Sequence, residues 1–207
     1  MPQRAGKTRR RRTLARPLCT ALRLAAVHGL VFISFRDHLV ASYGRATAAA
    51  VFASQPDYVL TEAYPDETLL RLVERAAAQT GRTEDETLFD AGVFIGENTF
   101  PRLYPAFYAD ARSPREFLLT VEQRIHALVR ATIVNAGPPR LDIRPLGEQG
   151  VSIDYVSPRR LCMLLRGLTE GTARHYSQHA ELEEDACMLR GDAACTLAVS
   201  FSDGSPL

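Results

Sequence analysis

The chain is poor in cysteine: Cys19, Cys162, Cys187 and Cys195 are all that its 207 residues hold. Four, three of them lying between 162 and 195, are too few and too clustered for a secreted disulfide scaffold. It also lacks an apolar run long enough to span a bilayer. The best stretch, Ala25–Phe35, is broken by His28 and soon followed by Arg36 and Asp37. Export is disfavoured too, because the apolar segment Leu18–Leu30 is interrupted by Arg23 and has no clear small-residue cleavage site. A cytoplasmic protein is expected. No phosphate loop, nucleophile–base pair or metal-hydrolase motif is present, so no enzyme activity is expected.

Net charge is only +1, but it is unevenly spread. Residues 1–26 hold eight basic and no acidic residues, including the run Arg9, Arg10, Arg11 and Arg12. The remaining 17 basic residues face 24 acidic ones, so the body carries −7. An acidic body repels nucleic acid, which excludes DNA or RNA as the expected partner. Residues 1–26 read as a basic, disordered tail with a little helix from Leu14 to Ala26, and residues 27–207 as one domain.

Local signals predict helices first and strands later, an α+β arrangement. Apolar residues recur at helical spacing from Leu30 to Tyr43, with Gly44 as a stop. Asp57–Pro65 reads as loop. Asp66 and Glu67 open a helix running to about Gln79, ended by Gly81. Thr83 with Glu86, and Ser113 with Pro114 and Glu116, are helix-start patterns. Gly137, Pro138 and Pro139 end the helix that Ser113 opens. Leu141–Leu146 and Val151–Val156 read as a hairpin, and Ser157-Pro158 as the start of a helix to about Ser177. Ala180–Met188 and Cys195–Phe201 read as two closing strands.

Two constellations could carry chemistry. Tyr155, Ser157 and Arg159 stand at alternate positions, so an extended segment can aim a phenol, a hydroxyl and a guanidinium the same way. Such a socket suits carboxylates, which arginine grips bidentately. The bland alternative is a strand end followed by a helix cap, with Arg159 in solvent. Upstream, His126 lies at the flank of a stripe made by Phe117, Leu118, Val121, Ile125 and Leu128, near Leu119 and Val129. A neutral imidazole there can be a metal ligand or simply a half-buried side chain.

The pattern Tyr155-x-Ser157-x-Arg159, about thirty residues after His126, resembles the haem-propionate clamp of the H-NOX (haem nitric oxide/oxygen-binding) family. Other features of residues 27–201 are similar to that family in the same order. These are the opening Gly29-Leu30-Val31, the entry Tyr64-Pro65-Asp66-Glu67, and Ile125-His126-Ala127 at the proximal position. Pro138-Pro139 falls where a proline bends the porphyrin. Phe94–Ala111 matches only loosely. Val27 stands close to where such domains begin, and a GTG codon, valine internally, can start translation in bacteria. Residues 1–26 are therefore either an artefact of the assigned start or a real arm for an acidic partner or membrane surface.

The resemblance implies haem b in a pocket between an N-terminal helical half and a small antiparallel sheet carrying one long helix. His126 would hold the iron, Tyr155, Ser157 and Arg159 the propionates, and Pro139 would press on the porphyrin. Oxygen-binding members carry a distal tyrosine, which would fall here near Met163 or Leu164. Neither can donate a hydrogen bond, so an apolar wall of Val31, Phe35 and Met163 would favour NO over O₂. NO binding would weaken the bond to His126 and shift the two halves. The signal would pass to a separate protein, a histidine kinase or a cyclic-di-GMP enzyme. The resemblance also implies that Cys162, Cys187 and Cys195 could form a zinc site. Glu184 stands where such sites have a histidine, with His179 as a substitute. Buried structural thiols or a disulfide switch are the alternatives. Rival functions are a haem-free zinc or thiol redox module on the same fold, and a small-hydrophobe-binding domain.

Overall fold

The computed structural model describes residues 26–135 and 137–204. The predicted tail therefore lies outside the described residues, apart from Ala26. Among those residues no helix is long and apolar enough to cross a membrane. The order is β1 (Ala26–His28), α1 (Gly29–Val51), β2 (Ala63–Pro65), α2 (Asp66–Thr80) and α3 (Glu84–Phe94). A π-helical turn, Ile95–Thr99, leads into the short helices α4 (Phe100–Leu103) and α5 (Pro105–Asp110). Next come α6 (Pro114–Thr120), a second π-helical turn (Val121–His126) and α7 (Ala127–Thr132). The chain closes with β3 (Arg140–Leu146), β4 (Gly150–Val156), α8 (Cys162–His175), β5 (Gln178–Ala186) and β6 (Cys195–Asp203).

The helical half follows its local signals. Gly81 ends α2 in the left-handed conformation at φ 70°, which glycine adopts without strain. Thr83 and Glu86 form both bonds of a capping box on α3. Gly44 does leave helical geometry, at φ 86°, but it kinks α1 rather than ending it. The alanine-rich segment beyond it resumes the helix, and buried Ala48 and Val51 anchor it. The guanidinium of Arg75 then donates to the carbonyls of Ala50 and Ala53 at the exposed end of α1. Asp57–Pro65 is not all loop: Ala63–Pro65 pairs antiparallel with β1.

The second half is an antiparallel sheet in the order β3-β4-β6-β5. Strand alternation turns Val151, Ile153 and Tyr155 of β4, with Cys195, Leu197, Val199 and Phe201 of β6, to the buried face. That face packs with Phe117 and Leu118 of α6, Ile125, and Ala173 of α8. A separate core of Phe32, Phe35, Leu39, Leu72 and Val73 fills the helical half. α8 joins the halves by backbone contact. A Cβ on Gly167 would lie 2.1 Å from the carbonyl oxygen of Phe89, and one on Gly171 2.2 Å from that of Val93. Gly92 and Gly96 make the matching approach from the other helix.

Ser157 does not cap α8. The helix starts five residues later, at Cys162, with no side-chain cap. Ser157 Oγ instead accepts from the Arg159 backbone N–H at 3.3 Å, and Arg160 N–H reaches the Ser157 carbonyl at 3.2 Å. Arg160 turns left-handed at φ 53°, which no residue of a right-handed helix adopts.

Candidate functional site

Between the halves lies an apolar cavity of about 210 Å³. Native cores hold few voids larger than one water, so this volume is a site rather than a packing fault. Val27 and Val31 close it from the N-terminal end, and Leu164, Leu165 and Leu168 of α8 form another wall. Phe117, Leu118, Ile125, His126 and Val129 line it from α6–α7, and Pro138 and Pro139 from the segment after α7. Tyr155, Ser157 and Arg159 supply its polar end.

The π-helical turn decides which residues of the His126 segment face the cavity. A π turn holds one residue more than an α turn, so the face beyond it rotates. Spacing of 3.6 residues put Leu128 in the apolar stripe. Leu128 is instead 43% exposed, and Val129 lines the cavity beside His126.

Two imidazoles line the cavity, and their hydrogen bonds set opposite tautomers. His126 Nδ1 lies 2.8 Å from Glu122 Oε2. Burial lowers the His126 pKa, against the opposing pull of Glu122, so the ring is neutral near pH 7. A carboxylate only accepts, so Nδ1 carries the proton and Nε2 keeps a lone pair. Burial also pushes the Glu122 carboxyl upward, but the bonds from His126 and Arg130 outweigh it and hold it ionised below its ordinary range. His28 is the reverse case. Its Nδ1 accepts from Leu30 N–H at 3.1 Å and caps α1, and burial lowers its pKa as well. Its proton therefore sits on Nε2, which leaves no lone pair for a ligand bond.

The polar end is preassembled. Arg159 Nε donates to Asp66 Oδ1 at 2.7 Å. Its two terminal nitrogens donate to the carbonyls of Gly137 and Ala26, each at 2.7 Å. Among the described residues three of its five N–H groups are thus engaged, which leaves two for an anion. Arg159 is therefore no solvated side chain after a helix cap; its side chain is only 7% exposed. Tyr155 and Ser157 are buried beside it, and burial raises the Tyr155 phenol pKa, which keeps it a neutral donor.

Two predicted wall residues lie elsewhere. Phe35 is buried in the helical core, 6.2 Å from the Phe52 ring, and does not line the cavity. Met163 is not on the wall either; one residue along α8 is a 100° turn, and Leu164 faces in instead. Val31 and Pro139 line the cavity.

The thiols of Cys162, Cys187 and Cys195 converge, all within 4.8 Å of one another, with Cys162 and Cys195 sulfurs 2.9 Å apart. Burial raises the Cys162 and Cys195 pKa values, so these thiols are protonated when no cation holds them. Cys19 lies outside the described residues. Glu184 does not join them: its carboxylate pairs with Arg166 and Arg190. His179 points to Glu170 instead. Pattern reading missed Glu122, Asp66 as the partner of Arg159, and His28 as a cap. Only Glu122 was within reach, since its four-residue spacing to His126 puts both on one side of a helix.

A search of curated proteins found no match. Solved structures share the fold. An H-NOX protein from S. oneidensis in the Fe(II)NO state is 22% identical, with TM-score 0.78, covering 86% of this chain and 100% of that one. Unliganded Fe(II) H-NOX from K. algicida is 20% identical, with TM-score 0.73 and 87% and 100% covered. An oxygen-binding H-NOX domain related to soluble guanylate cyclases is 21% identical, with TM-score 0.74 and 86% and 96% covered. The fold is thus that of H-NOX proteins. The Haem-NO-binding family model matches residues 28–184, and the chain belongs to that family.

Proposed function

We propose that the cavity holds haem b through His126 and that the protein is an NO-selective sensor. The observation that carries this reading is the 2.8 Å pairing of His126 Nδ1 with the Glu122 carboxylate at the cavity wall. The His126 Nε2 lone pair belongs to a neutral, carboxylate-oriented imidazole on an apolar cavity, which is the state an iron ligand requires. His28, the other imidazole, lacks that lone pair. The two free N–H groups of Arg159, with Tyr155 and Ser157, fit the carboxylates of a haem at the polar end.

Bound haem, held by His126 and by Tyr155, Ser157 and Arg159, would supply the iron at which a diatomic gas binds. On α8, Leu164, Leu165 and Leu168 offer no donor to a bound gas. The Thr169 hydroxyl is occupied by the Leu165 carbonyl at 3.0 Å. Bound O₂ carries partial negative charge and gains from a donor, so this wall favours NO. Release of His126 would free its helix segment against β3, and a separate effector protein, a histidine kinase or a cyclic-di-GMP enzyme, would read that shift.

The test is the absorption spectrum of the reduced full chain with NO and, separately, with air. A Soret band that moves with NO but not with O₂, and that His126→Ala abolishes, is expected. No Soret band after reconstitution would overturn the haem reading. Stable O₂ binding would overturn the selectivity and point to Tyr104, a lining phenol with no hydrogen-bond partner among the described residues.

The sulfur cluster supports a second site. Three converging thiols fit zinc, with a fourth position left for water or another donor. Metal analysis of the purified protein should find one zinc per chain, lost in Cys195→Ser. A metal-free wild type would leave three buried core thiols with a structural role.

A further inference from the structure

We propose that Glu122 is the positioning residue of the haem site: it fixes the ring of His126, strengthens it as a ligand, and ties it to β3. This rests on His126 being the ligand.

Three contacts converge on one carboxylate. Oε2 accepts from His126 Nδ1 at 2.8 Å and, at 3.3 Å, from the backbone N–H of Leu141, the second residue of β3. Oε1 accepts from Arg130 at 2.6 Å. Glu122, His126 and Arg130 are spaced by four residues, so the contacts bridge the π-helical turn and the first turn of α7. His126 ends a π turn, an irregular stretch of helix frequent at functional sites. The Glu122 carboxylate, on the same turn, ties the ring to Leu141 of β3 outside the helix.

The pairing also has an electronic consequence. A carboxylate accepting from one imidazole nitrogen raises the basicity of the other, so Nε2 becomes a stronger donor to a metal. A neutral acceptor would do this less. The bond to Leu141 gives the same group a mechanical role. Leu141 N–H and His126 Nδ1–H share one oxygen, so a displacement of His126 pulls directly on the start of β3.

Two measurements test the proposal, one of which needs no haem. In the haem-free chain, nitrogen NMR of the His126 ring should show the Nδ1–H tautomer, and Glu122→Leu should lose that preference. In the ferrous haem-bound chain, resonance Raman should show a lower iron–histidine stretching frequency in Glu122→Leu, with Glu122→Gln between it and wild type. Haem should leave Glu122→Leu about 10- to 100-fold faster. A Glu122→Leu protein with the wild-type tautomer, stretching frequency and haem-loss rate would overturn the role of Glu122. Should Glu122→Leu not fold, Glu122→Gln decides alone, because the amide keeps the shape while losing the charge and one of the two acceptor oxygens. A wild-type chain that binds no haem overturns the haem reading instead, and leaves the tautomer measurement to judge Glu122 as a holder of His126.

Discussion

Arg159 and Asp66 lie 93 residues apart and meet through an Nε–Oδ1 contact of 2.7 Å. The pair joins the start of α2 to the turn before α8. The same guanidinium reaches Gly137 and Ala26, so one side chain gathers four separate segments at the polar end of the cavity.

Removing the acid tests that arrangement. Asp66→Ala leaves a largely buried cation without its counter-charge, a loss of about 3–5 kcal/mol for a fully buried pair. Arg159 keeps two carbonyl partners and Asp66 is partly solvated, so a loss on the order of 2 kcal/mol is expected. Urea unfolding of the haem-free protein measures it. An unchanged midpoint would mean that the two carbonyls alone hold Arg159.

The glycine crossing between α3 and α8 should tolerate no side chain. Gly167→Ala sets a Cβ 2.1 Å from a backbone oxygen, so one helix must move. A loss of about 1–3 kcal/mol is expected. Because Leu164 and Leu168 sit on the same helix, the ligand spectrum should shift as well. Thermal unfolding and the Soret position check both.

A donor placed on the α8 wall should change gas preference. Leu164→Tyr offers a phenol to bound O₂, and one hydrogen bond of roughly 1.4 kcal/mol corresponds to about tenfold slower O₂ release. Stopped-flow dissociation reads this directly. An O₂ complex no longer-lived than that of the wild type would show that Leu164 does not face the bound gas.

Acid should weaken the haem-free fold before the carboxylates titrate. Burial lowers the pKa of His38, more than nearby Asp90 raises it, and burial lowers that of His28. A histidine depressed in the folded state binds its proton more readily when unfolded. Its stabilising contribution is therefore complete above about pH 6.5 and is lost as the pH falls through the folded value. Stability measured from pH 7.5 to 5 should slope downward toward acid, and His38→Gln should flatten the slope. An equal slope in that variant would assign the effect elsewhere.

The local sequence by itself determined the end of α2, the start of α3, the hairpin and the alternation that buries Tyr155. Thr83 with Glu86, Gly81, and the period-2 strands act over four residues or fewer, so their neighbours in the chain are their neighbours in space. The order of His126, Pro138-Pro139 and Tyr155-x-Ser157-x-Arg159 was likewise readable as a pattern. Tertiary structure decided the rest. The π turn rotated Leu128 outward and Val129 inward, against the expected 3.6-residue phase. Ser157 was drawn into a turn with Arg159, because the guanidinium has three partners in distant segments. Glu184 went to Arg166 and Arg190 and not to the cysteines. In each case a side chain had more than one chemically suitable partner. Only the packing of distant segments, which local spacing does not encode, selected among them.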